Sequence, residues 1–274
     1  MHIARILAVK TAFLLSVECF FETLLLIFYK ERRETQVWID SICGVVYTEH
    51  RKYHEAERRQ EMARLMEKHS KTEEFLHSLT HGSSAILGAV GLAFLISRSV
   101  PLGALDLAGA IIFGVSLILL YSASAIYHSA PFESRARDVL QKFDHCMIFV
   151  LILGTYVPVC WTALGGWLGW CVFGVVAACS VIGITVNLID IARFHKFSLV
   201  LYVISGWMIA IATIPFIKVV GWQGFAFLLA GGISYTVGII FYRIHRIPYM
   251  HLIWHLLVSL GSVMHFIMIY SYVY

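Results

Sequence analysis

Two histidines, His251 and His255, stand four residues apart at the entrance of an otherwise apolar run, Met250 to Ser271. Four residues is just over one helical turn, so both imidazoles project from one face of a helix. Neutral imidazoles at i, i+4 are a common way for a helix to offer two ligands to a metal ion. The alternative is a pair of interfacial histidines whose ring nitrogens face water. A third histidine, His265, lies ten residues on, roughly 15 Å deeper at 1.5 Å per residue. Ionisable groups in a membrane-length segment are costly and usually face a bundle interior, where they mark a functional site.

The elements that must position these groups follow from composition. The 274 residues are 59% hydrophobic and only 14% charged, with a mean hydropathy of +0.78. That is too apolar for a soluble domain and fits an integral membrane protein. The six cysteines (19, 43, 146, 160, 171 and 179) form no Cys-x-x-Cys pair. They read as reduced, small hydrophobes, neither a disulfide framework nor a thiolate metal site.

Residues 1–74 read as an N-terminal extension. An apolar run at 11–29, interrupted by Glu18 and Glu22, fits an interfacial amphipathic helix as well as a spanning one. No small-residue cleavage site makes it a signal sequence. Residues 30–74 hold ten Lys/Arg and ten Asp/Glu and read as a charged cytoplasmic helix or linker. Balanced acids argue against a nucleic-acid patch there.

From Phe75 to the end, seven hydrophobic spans are predicted, near 75–97, 105–128, 144–163, 168–189, 197–217, 222–242 and 249–271. Each has about the 20 residues needed to cross a bilayer core. Cys146 to Ile189 contains no charged residue, so it must hold two helices, with Gly165-Gly166 the natural break. Connections after the second, fourth and sixth spans carry seven Lys/Arg; those after the first, third and fifth carry only Arg98 and Lys218. The positive-inside rule then predicts an all-α seven-helix bundle with its N-terminus cytoplasmic and its C-terminus extracytoplasmic.

This topology gathers the cytoplasmic ends of spans two, three and seven. Span two ends with Ser124 and His128 one turn apart, span three opens with Asp144-His145, and span seven opens with His251 and His255. Three histidines and an aspartate at one depth make the set of a catalytic zinc site, which leaves a fourth position for water. Asp144 could hold that water as a base or bridge. Calcium or magnesium would want more oxygens than one carboxylate supplies.

Ser124-x3-His128, Asp144-His145 followed by Gly154-Thr155-Tyr156-x-Pro158, and His251-x3-His255 with His265 beyond resemble the hemolysin III family. Thr80-His81-Gly82 at the opening of span one fits the bacterial pattern too. That family is related to the progestin and adipoQ receptors, including the adiponectin receptors, and more distantly to alkaline ceramidases. The resemblance covers about residues 75–274 and leaves 1–74 outside. It implies zinc bound by His128, His251 and His255, with Asp144 and Ser124 holding the water at the metal. It also implies a membrane lipid as substrate or ligand, a multi-pass place in a bacterial plasma membrane, and a link to membrane-lipid homeostasis.

The other candidates read differently. His77 and His81 repeat the i, i+4 spacing at the mouth of span one and read as interfacial or hydrogen-bonded, with lining the site as the alternative. His145 faces about 100° away from Asp144 and reads as structural. His265 is too deep to share a metal with His251, so a hydrogen bond to a neighbouring helix is expected. His195 and His245 are expected to face water. Pro158 and Pro215 read as kinks, and Trp161, Trp167, Trp170, Trp207 and Trp222 as interfacial belts.

Three functions compete. One is a zinc-dependent hydrolase of a lipid amide or ester, with the amide favoured; the second is a receptor or membrane-state sensor with structural zinc. A cytolytic pore is disfavoured, because seven continuous apolar spans describe a resident protein and a secreted toxin must stay soluble before insertion.

Overall fold

A computed structural model describes residues 70–274 except Glu133, His245 and Arg246. The readings for the run at 11–29, for residues 30–69 and for His245 lie outside the described residues. Among the described residues the chain is all helical, without strands. We number α1 (Lys71–Ser99), α2 (Ala104–Ser129), α3 (Arg135–Val157), α4 (Gly166–Gly206), α5 (Thr213–Tyr242) and α6 (Met250–Met268). π-helical turns extend α3 over Pro158–Leu164 and α6 over Ile269–Val273, and a 3-10 turn, Met208–Ala212, joins α4 to α5. Among the described residues five segments are long and apolar enough to cross a membrane: Lys71–Ser99, Ala104–Ser129, Arg135–Leu164, Gly166–Tyr242 and Met250–Val273.

The first helix begins at Lys71 and not at Phe75, so the last residues of the charged stretch read as a cytoplasmic helix or linker belong to it. Its start is written in Ser70-x-x-Glu73, a capping box. The Ser70 hydroxyl accepts from the Glu73 amide at 3.2 Å, and the Glu73 carboxylate accepts from the Ser70 amide at 2.8 Å. Two orphan amides of the first turn are satisfied in this way.

The fourth apolar segment, 77 residues long, folds back on itself. Asp190 is extended (φ −156°, ψ 95°). Across it, Asn187 Nδ2 donates to Tyr202 Oη at 3.3 Å and Ser198 Oγ donates to Asn187 Oδ1 at 2.6 Å. A straight helix would hold those partners roughly 16–22 Å apart. Gly221 does the same for α5, with φ +71°, a conformation glycine adopts without a Cβ penalty. Across that break Trp207 Nε1 donates to Thr236 Oγ1 at 3.0 Å. The expected break at Gly165-Gly166 is present, both glycines having positive φ. Pro158 starts the first π-helical turn, so the expected kink takes the form of a widened turn.

α1 packs along α2, α2 along α3, α3 along α4 and α5 along α6, and α6 returns to α1. Small residues let these helices approach, as is usual where apolar helices meet without water. A Cβ added at Gly183 would collide with the Phe149 ring. Phe149 is fully buried and also meets Tyr202 at 4.3 Å between ring centroids. Overpacking of this kind costs about 1–3 kcal/mol or more. Gly183→Val is therefore expected to lower the thermal midpoint of the detergent-purified chain, whereas Gly174→Ala, with no atom within 4 Å of the added carbon, is not. Ile86, Leu87, Val90 and Phe94 form an exposed apolar stretch on α1, fit for lipid.

Candidate metal centre

The ends of α1, α2 and α6 meet in a knot of imidazoles. His77 lies in the second turn of α1, His128 in the last turn of α2, and His251 in the first turn of α6. Their potential ligand atoms all lie within 4.8 Å of one another. His255, one turn along α6 and 1% exposed, lies 4.7 Å from His251, 4.9 Å from His128 and 5.0 Å from His77 by ring centroids. His81 stacks on His255 at 3.6 Å and 9°. Of the expected ligands His128, His251 and His255, the first two join the tight group, and its third member is His77.

His128 is aimed by its surroundings. Its Nδ1 is 2.9 Å from Glu74 Oε2, and Glu74 in turn takes a 2.9 Å ion pair from Arg137. An ionised carboxylate only accepts, so Nδ1 carries the proton and donates to it. The lone pair of the neutral ring is then on Nε2, a buried atom with no hydrogen-bond partner. A histidine backed by a carboxylate with its other nitrogen free is the arrangement found around bound metal ions, where the carboxylate fixes tautomer and ring orientation.

Arg137, 2% exposed, closes the network. Its Nη1 donates to the Ala130 carbonyl at 2.7 Å and to the Tyr127 carbonyl at 3.4 Å. Its guanidinium lies 4.8 Å from the Tyr127 ring and 4.5 Å from the Phe132 ring. A buried charge persists only when paired and hydrogen-bonded, and here the last turn of α2 and the Glu74 carboxylate supply both.

The neighbouring Glu73 fixes the other side. Its Oε1 accepts from the Tyr249 amide at 2.7 Å. Tyr249 precedes α6 in the left-handed conformation (φ 63°), which a non-glycine side chain adopts only when held. The first turn of α1 thus holds His128 through Glu74 and the start of the His251 helix through Glu73.

Asp144 is half-buried on α3, its Oδ2 3.6 Å from His145 Nδ1. His145 is structural, as expected: Nδ1 is 2.9 Å from the Gln141 carbonyl and Nε2 is 3.2 Å from Tyr242 Oη. The Gln141 carbonyl cannot donate, so Nδ1–H does, and in the neutral ring Nε2 accepts from the phenol. His195 donates to the same phenol oxygen at 2.9 Å, a correction to its expected place in water. The Tyr242 ring is 5.7 Å from His251. Ser124 is buried on α2 one turn before His128. Deeper in the bundle, His265 Nε2 donates to the Leu228 carbonyl at 3.1 Å, the helix-to-helix bond expected of it. Trp167, Trp170 and Trp222 are exposed, as belt residues are, whereas Trp207 is tied to Thr236.

Glu73, Glu74 and Arg137 were not among the expected site residues, and for His77 lining the site, which the structure supports, was the second of two readings. Signals for two of them were present. Glu74 and His77 are three residues apart, on one face of a helix, and Ser70-x-x-Glu73 marks where that helix starts. The four imidazoles and a buried carboxylate fit a borderline transition metal ion such as zinc.

Long apolar helices gathered around a histidine cluster define a class of membrane protein. Residues 69–266 match the family described as "Haemolysin-III related". The chain is 37% identical over 201 residues to "Hemolysin-3 homolog" of Bacillus subtilis (strain 168), covering 73% of this chain and 94% of that protein. It is 37% identical over 202 residues to "Hemolysin-3" of Bacillus cereus, covering 73% and 92%. "Monocyte to macrophage differentiation factor" of Homo sapiens is 25% identical over 174 residues, 60% of this chain and 69% of that protein. The chain belongs to the haemolysin III-related family, as its motifs implied.

Exchanging Glu74 for Gln keeps the shape and loses the charge that holds His128. Metal affinity is expected to fall about 10–100-fold, the usual cost of losing an outer partner. Chelator competition on the purified protein measures it, and unchanged affinity would show that Glu74 does not serve the metal.

Proposed function

We propose that this chain crosses the cell membrane seven times and holds a zinc ion in its histidine cluster to hydrolyse a lipid amide of the ceramide class. The observation that carries the reading is the meeting of His77, His128 and His251, with His128 Nε2 buried, unpartnered and backed by Glu74. His128 and His251 are the core of the ligand set, completed from His77 and His255.

A zinc ion held there would lower the pKa of a water to about 7 and polarise a carbonyl. Asp144, at the opening of the third span, takes the role of proton acceptor, the work of a positioned carboxylate in general base catalysis. The Ser124 hydroxyl, one helical turn from His128, orients the water and is a poor base at neutral pH. Tyr127 and Tyr242 pack against His128 and His251 and keep the cluster away from bulk water. A membrane lipid is the substrate that a site among apolar, membrane-length helices favours. The name Hemolysin-3 belongs to the Bacillus cereus relative; for this chain a pore is disfavoured, since its apolar helices make it a resident of the membrane.

Ceramide with a fluorescent acyl chain, incubated with the detergent-purified protein, tests the activity. Fatty-acid release that a chelator stops and added zinc restores is expected. No release from ceramide or simple N-acyl amides would sink the hydrolase.

The seven-span topology, N-terminus cytoplasmic, rests on the seven-to-two bias of basic residues in the connections and on the reversals at Asp190 and Gly221. Single cysteines in the Arg135–Lys142 stretch should react with an impermeant reagent only from the cytoplasmic side. Labelling from outside would reverse the orientation.

A further inference from the structure

One tyrosine touches both halves of the proposed chemistry. Tyr242 ends α5, and its ring lies 5.7 Å from His251 and 5.5 Å from Trp254, both near the start of α6. Its hydroxyl reaches two other helices: Oη is 3.2 Å from His145 Nε2 on α3 and 2.9 Å from His195 Nε2 on α4. A phenol has one proton and two lone pairs, so it donates to His145 while it accepts from His195. His145 is also where the other helices grip α3. Tyr202 Oη donates to its carbonyl at 2.8 Å, and Tyr202 accepts in turn from Asn187 across the reversal at Asp190. Asp144 is the residue before it. One step along an α-helix is about 1.5 Å and about 100°. Fixing the height and rotation of α3 at His145 therefore fixes where the Asp144 carboxylate stands.

We propose that Tyr242 is a positioning residue that holds the Asp144 carboxylate in register with the His251 end of α6. Its ring places the start of α6, and its hydroxyl, through His145, places α3. The proposal rests on the hydrolase reading and names the side chain that keeps base and metal end in one frame. The two contacts are chemically separable. Packing against His251 and Trp254 needs an aromatic ring, which phenylalanine supplies. The bonds to His145 and His195 need the hydroxyl, which phenylalanine lacks. A catalytic group misplaced by about 1 Å costs on the order of 10²-fold in rate, so a lost hydroxyl this close to Asp144 is felt in turnover.

Kinetics on the full-length protein in detergent, with fluorescent ceramide as the probe, test this. Tyr242→Phe should lower kcat about 10–100-fold, with KM and zinc affinity as in the wild type. Tyr242→Leu, which also loses the ring, should in addition weaken zinc binding in a chelator competition. In an Asp144→Asn background Tyr242→Phe should lower turnover no further, because a residue that acts through Asp144 has nothing left to position. A role in helix packing alone predicts the same factor in both backgrounds. His145→Ala cuts the link from the other side and carries the test if Tyr242→Phe folds poorly. It should lose kcat alike, and His145→Gln, whose amide oxygen can accept from the phenol, should recover part of it. Wild-type kcat in Tyr242→Phe or His145→Ala, or an equal loss in both backgrounds, overturns the positioning role and leaves the hydrolase standing. A wild-type chain that binds zinc and releases no fatty acid overturns the hydrolase reading, and the positioning of its base falls with it.

Discussion

Replacing His128 by alanine is expected to leave the purified chain with far less than one equivalent of zinc. The variant removes the one cluster nitrogen that is buried, without a partner and backed by a carboxylate. It also strands Glu74 with Arg137 alone in a buried place, which adds a folding cost. Stability must therefore be followed beside metal content. His251→Ala should behave alike, because it removes the ligand proposed at the start of α6. His265→Ala and His145→Ala should keep their zinc, since the first loses a bond to the Leu228 carbonyl and the second bonds to Gln141 and Tyr242. Elemental analysis of the four purified variants decides this. Full occupancy in His128→Ala would remove the cluster from consideration as a metal centre.

Asp144→Asn is the second large effect, and it separates catalysis from scaffolding. Asparagine keeps the shape of the side chain and loses only the ability to accept a proton as a base. If the site activates water, turnover is expected to drop by about 10²–10⁴, the usual scale of general acid–base help, with zinc still bound. Ser124→Ala should do less. If the metal only ties α2 and α6 together in a sensor, Asp144→Asn should leave the lipid composition of cells unchanged from wild type. Lipidomics on cells carrying Asp144→Asn and His128→Ala reads both outcomes at once.

The membrane helices, the glycine break at Gly165-Gly166 and the role of His265 were legible because each rests on a local pattern: apolar length, a pair of glycines, a polar group too deep to reach its neighbours. His128 and His251 were legible for a similar reason, as i, i+4 partners of Ser124 and His255 at the ends of apolar runs. Glu73 and Glu74 were not, because a carboxylate pair following a charged stretch reads as solvated surface; for His77, lining the site was the second of two readings. What buries them is the contact of the first turn of α1 with the ends of α2 and α6, and nothing in the residues before Phe75 announces those neighbours. Arg137 was hidden in the same way. Its charge counted towards membrane orientation, while its partners lie on two other elements, Glu74 on α1 and the Ala130 carbonyl at the end of α2. The turn at Asp190 has no glycine or proline, yet it falls at the connection expected between the spans at 168–189 and 197–217, and the pairing of Asn187 with Ser198 and Tyr202 is what the structure adds.

Zinc content of the wild-type chain, purified without added metal and measured per mole of protein, tests the central claim most directly. One zinc per chain, lost with chelator and regained on zinc addition, is the expected result. A folded, monodisperse protein that carries no zinc and takes none up would contradict it.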